Sequence, residues 1–162
     1  MGVSVRRAAG GDAATLAAFN AALAWESEHR RLDPATLAAG VGAVLADPAK
    51  GFYTVAERGG EVVGQVLVTF EWSDWRAGWF WWVQSVYVRP DARRGGVFRG
   101  LFAHLHAAAA ADPTVIGVRL YVERDNAAAR QVYAALGLAE TGYDVLELYP
   151  LPGRPGLVSR GD

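Results

Sequence analysis

Apolar and polar positions along this chain change period several times, and each change marks an element. Val3 to Arg7 alternate briefly, as in a half-buried strand. Asp12 then precedes an alanine-rich stretch with Leu16, Phe19, Leu23 and Trp25 at helical spacing, which predicts a capped helix with one apolar face. Asp33-Pro34 opens a second helix, with proline at its first position, that ends before Asp47-Pro48. Phe52 to Glu57 and Val62 to Glu71 are rich in β-branched and aromatic residues, and the Gly59-Gly60 turn between them predicts a hairpin. Trp79 to Val88 reads as a long aromatic strand, followed by a helix from about Gly96 to Ala110. Ile116 to Val122 reads as a strand, Asn126 to Leu136 as a helix closed by Gly137, and Tyr143 to Leu148 as a last strand. The order β-α-α-β-β-β-α-β-α-β predicts one α+β domain over residues 1–150, a mostly antiparallel mixed sheet of about six strands flanked by helices. Prolines and glycines from Pro150 onward predict an irregular tail over residues 151–162.

Composition narrows the function classes. Sixteen basic and 17 acidic residues leave a net charge of −1 and a pI near 6.3, so no general field draws the chain to nucleic acid or an anionic membrane. The absence of cysteine excludes disulfides, thiolate metal sites and a cysteine nucleophile, and no metal is expected. Met1 to Arg7 lack the apolar core of a signal peptide and no apolar run is long enough to cross a bilayer, so a cytoplasmic location is expected.

The segment richest in chemistry runs from Val86-Tyr87-Val88 through Arg89-Pro90-Asp91-Ala92 into Arg93-Arg94-Gly95-Gly96-Val97-Phe98-Arg99. A strand that breaks at proline and passes through arginine and glycine into a helix builds an anion site. Bare N–H groups and the positive dipole end hold phosphate, and glycine lets it approach the main chain. Taken alone, the same loop is also compatible with a simple turn flanked by solvated arginines. Other phosphate motifs fail, because no Lys-Ser/Thr follows the glycines and Gly-x-Gly-x-x-Gly is not matched.

A second constellation follows the next strand: Asn126, then Arg130 and Tyr133, with Gly137-Leu138 closing the helix. Asn126 to Tyr133 spans about two turns, so the three side chains share one helix face. Together, Arg93 to Phe98 and Asn126 to Leu138 resemble the pyrophosphate loop and following helix of the GNAT superfamily of acyl-CoA-dependent N-acetyltransferases, in element order over nearly the whole chain. Phe98 departs from the glycine or alanine usual at its position, and its ring is expected to point away from the phosphates.

The resemblance implies splayed fourth and fifth strands and direct acetyl transfer from acetyl-CoA to an amine. The pantetheine arm would pair with the backbone of Val86, Tyr87 and Val88, and N–H near Val86 would polarise the thioester carbonyl. Pyrophosphate would sit on the N–H groups of Arg94, Gly96, Phe98 and Arg99, along the loop through Gly95 and Val97, with Arg93 assisting. Asn126, Arg130 and Tyr133 would line the cofactor channel, and Tyr133 would be the general acid for the departing thiolate. Relatives that carry a strand glutamate have it where Trp82 stands here, so no base is assigned; water, Glu28, Glu71, Asp74 or a histidine remain candidates.

For the acceptor, five of the six tryptophans fall within Trp72 to Trp82, beside carboxylates. Glu28, Glu71, Asp74, Trp75, Trp82 and Gln84 are the candidate amine site, on the logic of an aromatic cage for a cation. Ordinary sheet packing is the competing reading for the tryptophans. A small-molecule amine is the expected acceptor. A peptide or protein amine and a non-catalytic acyl-CoA-binding domain are alternatives. The apolar run Val145-Leu146-Glu147-Leu148 leaves homodimerisation open.

Overall fold

A computed structural model describes the backbone of residues 2–156 and 158–160, and the side chains of residues 2–156. Five strands form one mixed sheet in the order β1 (Ser4–Arg7), β3 (Phe52–Arg58), β4 (Glu61–Ser73), β5 (Gly78–Val88) and β6 (Val115–Leu120). All pairings are antiparallel except β5 with β6, which is parallel. Helices α1 (Ala13–Glu28) and α2 (Pro34–Ala46) cover one face. The other is covered by α3 (Val97–Ala111), whose Val97, Leu101, Leu105 and Ala109 meet Val66, Val68, Trp81 and Val83. Helix α4 (Ala127–Ala135) follows β6 and buries no residue.

Local chemistry explains the element ends. Asp33 caps α2 by accepting from the Thr36 N–H at 2.8 Å, with Pro34 in the first turn. His29 ends α1 in the left-handed conformation, φ 50°. Gly59 and Gly60 turn the β3–β4 hairpin with positive φ.

Two differences from the sequence expectation concern the C-terminal part. Tyr143 to Leu148 form no strand, so the main sheet has five strands and β6 is its edge. Within this segment Asp144 pairs with Arg124 in the loop before α4, Glu140 just ahead of it pairs with Arg130 on α4, and Leu146 is 93% exposed. In the tail expected to be irregular, β7 (Val158–Arg160) pairs antiparallel with β2 (Arg30–Leu32); Leu157, Gly161 and Asp162 lie outside the described residues.

The β5–β6 pairing runs from Trp79–Val115 to Val83–Leu120 and stops. Of residues 84–88, Gln84, Tyr87 and Val88 pair with β4 and none pairs with β6, so the two strands part at their C-terminal ends, the splay expected of the fourth and fifth strands. A bulge lies in the same stretch: Gln65 faces Tyr87 while Leu67 faces Gln84, which leaves Ser85 and Val86 opposite Val66 alone. Ser85 takes φ 48°, a conformation disfavoured for a residue with a Cβ, and so turns the strand at the point where it leaves its neighbour.

Candidate active site

Helix α3 begins directly after Gly96, which has φ 78° and open space where a Cβ would project. Its first intrahelical bond is Gly100 N–H to the Gly96 carbonyl, and among the described residues no side chain caps the start. The N–H groups of Val97, Phe98 and Arg99 are therefore left for an anion. Among the described residues, Arg94 and Arg99 are exposed and engaged by no ion pair, so two cations stand beside these donors. Arg58 holds the loop from behind by donating to the Gly95 carbonyl at 3.3 Å.

Arg93 is placed differently from the sequence expectation. Its guanidinium pairs with Glu26 at 2.5 Å, donates to the Val88 carbonyl at 2.9 Å, and lies over the Tyr87 ring. The second Glu26 oxygen accepts from the Tyr87 hydroxyl at 2.8 Å. Arg93, Glu26 and Tyr87 thus brace the loop against the end of α1, and the hydrogen bonds to Arg93 and Tyr87 hold the Glu26 carboxyl below its ordinary range. The same bond occupies the Val88 carbonyl, one of the backbone groups expected to pair with pantetheine.

The bulge at Ser85–Val86 is fixed from within the protein. Gln65, fully buried, donates from Nε2 to the Asn20 Oδ1 at 2.5 Å and to the Ser85 carbonyl at 3.2 Å, and Asn20 donates onward to the Tyr53 hydroxyl at 3.0 Å. Gln65 Oε1 is buried with no partner among the described residues. This chain of amides links α1, β3 and β4 to the one carbonyl that shapes the bend before Val86.

On α4, Asn126 is the N-cap, accepting from the Ala129 N–H at 3.0 Å. Arg130 and Tyr133 line a cavity of about 1690 Å³ that wraps the free edge of β6, with Glu71, Trp82, Tyr121 and Phe102 among its other walls. Val86 to Val88 and the Arg93–Arg99 loop lie outside this lining, as does Asn126. The junction is Phe98, whose ring meets Tyr133 edge-on at 6.0 Å and Phe102 at 6.1 Å. Partial burial pushes the Tyr133 phenol above its ordinary pKa, and no hydrogen bond engages its hydroxyl among the described residues.

The candidate acceptor residues divide. Glu71 accepts from Arg119 at 2.5 Å and from Trp82 Nε1 at 3.2 Å, Trp82 stacks on Tyr121 at 4.5 Å, and Gln84 donates to Thr69 at 2.5 Å. By alternation with Leu67, which packs on the α1 and α2 side, Glu71, Trp82 and Gln84 share that face of the sheet, with Gln84 at the splay, but the Glu71 charge is matched by Arg119. The other three are placed elsewhere. Glu28 pairs with Arg30 at 3.0 Å, Asp74 accepts from the Trp75 N–H at the β4–β5 turn, and the Trp75 side chain is 85% exposed. Turn geometry puts Asp74 and Trp75 in solvent at the far end of β5 from the bulge.

The sequence reading passed over Glu26, Asn20, Gln65, Arg119 and Tyr121. Two of these carried a signal: Asn20 continues the Leu16 face of α1, and Gln65 interrupts an apolar strand, so each is a polar residue at a core-facing position.

Residues 16–138 match the acetyltransferase (GNAT) family. A mycothiol acetyltransferase of Tsukamurella paurometabola is 38% identical over 146 residues, covering 86% of this chain and 49% of that protein. One from Streptomyces griseus is 38% identical over 154 residues, covering 90% and 46%. The chain thus spans about half the length of these curated relatives. Among solved structures, a possible acetyltransferase from Clostridium difficile 630 superposes with a TM-score of 0.87 at 41% identity, covering 92% of this chain and 98% of that one. A predicted acetyltransferase with acetyl-CoA from Clostridium acetobutylicum shares the fold, with a TM-score of 0.72 at 18% identity over 91% and 96% of the chains.

Proposed function

Because the chain belongs to the acetyltransferase (GNAT) family, we propose that it moves an acetyl group from acetyl-CoA directly to a primary amine of a small molecule. The observation that carries this reading is the pairing of an uncapped α3 start, flanked by Arg94 and Arg99, with a strand β5 that parts from β6 just before it. One element offers donors and cations for phosphates. The other offers free backbone along which an extended amide arm runs as an added strand.

The residues fit acetyl-CoA as follows. The N–H groups of Val97, Phe98 and Arg99 hold pyrophosphate, and Arg94 and Arg99 add charge. Gly96 keeps the approach open, since any Cβ there would project into the free space that its φ of 78° leaves. Bound acetyl-CoA supplies an activated thioester, and the N–H at Val86, aimed by the bulge, stabilises charge on its carbonyl oxygen. Attack by a neutral amine forms the new C–N bond as the C–S bond breaks, and the amine proton is lost to water. Tyr133, kept protonated by burial, donates to the leaving sulfur. Phe98 packs on the ring of Tyr133 and sets its position.

The name of the curated relatives favours a small-molecule amine over a peptide. The acceptor approaches on the α1 face, past Glu71, Trp82 and Gln84. The test is amine-dependent release of CoA thiol, measured with a thiol reagent over a panel of small amines and amino-terminal peptides. With no cysteine in the chain, the reagent reads only the product. Turnover with a small amine supports the reading, turnover with peptides alone would replace the acceptor class, and binding of acetyl-CoA without turnover on any amine would overturn catalysis.

A further inference from the structure

At the opposite end of β5 from the bulge lies a second cavity, of about 610 Å³. Its walls are aromatic: Phe52, Phe70, Trp79 and Trp81, with Phe52 edge-on to Trp81 at 5.1 Å and Phe70 edge-on to Trp79 at 6.2 Å. Val44 and Leu45 from the end of α2, with Pro48 just after it, form an apolar side. The volume is that of a pocket for a compact small molecule.

One cation reaches this cavity. The Arg7 guanidinium sits over the Phe52 ring, 3.3 Å from its centroid. Arg6, Arg89, Arg93 and Arg119 each pair with a carboxylate, whereas no hydrogen bond or ion pair engages the Arg7 guanidinium among the described residues. Arg7 is otherwise exposed, and partial desolvation against this ring, with no acid beside it, lowers its pKa from the ordinary arginine value. A guanidinium stacked by its face still directs its N–H donors outward in its own plane. The remaining charged group in the lining, Asp112, already accepts from the Thr114 N–H at 2.9 Å and its hydroxyl at 2.7 Å. A single planar cation suits one carboxylate, bound through two parallel N–H···O bonds. The Asp112 charge in the same lining disfavours a dianion such as phosphate.

We propose that this cavity is a binding site for a small monocarboxylate with a flat apolar or aromatic body, its carboxylate on Arg7 and its body against Phe52, Phe70, Trp79 and Trp81. The site is separate from acetyl transfer. Trp79 and Val86 are seven residues apart on one strand, about 20 Å at the usual strand rise, beyond the reach of a thioester held at the bulge.

The test is calorimetric titration of the full chain with 2-naphthoate, and with 2-naphthamide as its uncharged counterpart. The proposal expects one saturable site per chain for the acid and at least tenfold weaker binding of the amide. Arg7→Gln should remove that difference, and thermal melts of the variant check its fold. Binding of the acid should persist in saturating acetyl-CoA. No saturable binding at millimolar 2-naphthoate, an affinity unchanged in folded Arg7→Gln, or displacement of the acid by acetyl-CoA would each overturn it.

Discussion

Replacing Gln65 with leucine tests whether buried amides shape the catalytic strand. Leucine nearly conserves volume but removes the donor to Asn20 Oδ1 and to the Ser85 carbonyl. Leaving the buried Asn20 Oδ1 and the part-buried Ser85 carbonyl unmatched costs about 1–3 kcal/mol each, the second at the low end. The exchange also removes Gln65 Oε1, an orphan acceptor, and recovers about 1–3 kcal/mol. The net destabilisation is about 1–3 kcal/mol, a fall in Tm of roughly 3–10 °C for a chain of this size. With the Ser85 carbonyl released, its left-handed φ loses a support and the Val86 N–H shifts from the thioester. About a tenfold fall in kcat is expected, with KM for acetyl-CoA moving less, because that donor matters most when charge develops. Thermal melts and thiol-release kinetics on the same preparation read both effects. An unchanged or higher Tm would refute the network, and a lower Tm with kcat intact would refute its link to the bulge.

Three other outcomes follow from the geometry. Tyr133→Phe should lower kcat by about 10²-fold while acetyl-CoA affinity stays within a few-fold, and no alkaline limb from Tyr133 should appear in the wild-type pH–rate profile until above pH ~10, because burial raises this phenol's pKa; a limb well below that, abolished in the variant, would contradict the assignment. The hydrogen bond from Arg6 holds the Asp12 carboxyl below its ordinary value against the opposing effect of burial, so its contribution to stability is complete above pH ~4 and is lost as pH falls through the lower folded value. Melts between pH 5 and 2, conditions chosen for the assay, should show a shallower acid decline in Asp12→Asn than in the wild type, and equal slopes would count against the pair. Gly64→Ala would set a Cβ 2.8 Å from Val97 Cγ1 and 3.2 Å from the Tyr87 carbonyl, where β4 meets the start of α3. A loss of about 1–3 kcal/mol in urea unfolding is expected, and full stability would mean that α3 yields freely.

Much of the fold was legible because its elements are defined by local period. Leu16, Phe19 and Leu23 on α1, the Gly59-Gly60 turn and the long strand to Val88 need no knowledge of partners. The loop into α3 was legible for the same reason, since glycine, arginine and a helix start adjoin in the chain. What failed depends on distant pairing. Tyr143 to Leu148 alternate like a strand, but whether a strand forms depends on an edge, and this segment leaves Val145, Leu146 and Leu148 exposed without pairing to β6. Arg30–Leu32 is too short to show a period. Glu26 meets Arg93 across 67 positions and Glu71 meets Arg119 across 48, so neither neutralisation is visible in spacing. Hence Arg93 reads as a phosphate ligand, and its contacts to Glu26 and the Val88 carbonyl appear only in the structure. Asn20 and Gln65 were also passed over, although each is a polar residue at a core-facing position; their contact across 45 positions is not visible in spacing.

The central claim is that the start of α3 holds the phosphates of acetyl-CoA, and calorimetric titration of the wild type beside Gly96→Glu tests it most directly. At Gly96 the added side chain would enter the open approach to the Val97, Phe98 and Arg99 N–H groups and place a carboxylate there. The account predicts saturable one-to-one binding to the wild type and a loss of at least 100-fold in the variant, equivalent to about 2.7 kcal/mol, with the variant still folded by its melt. Equal affinity of both proteins for acetyl-CoA would place the cofactor elsewhere and contradict the account.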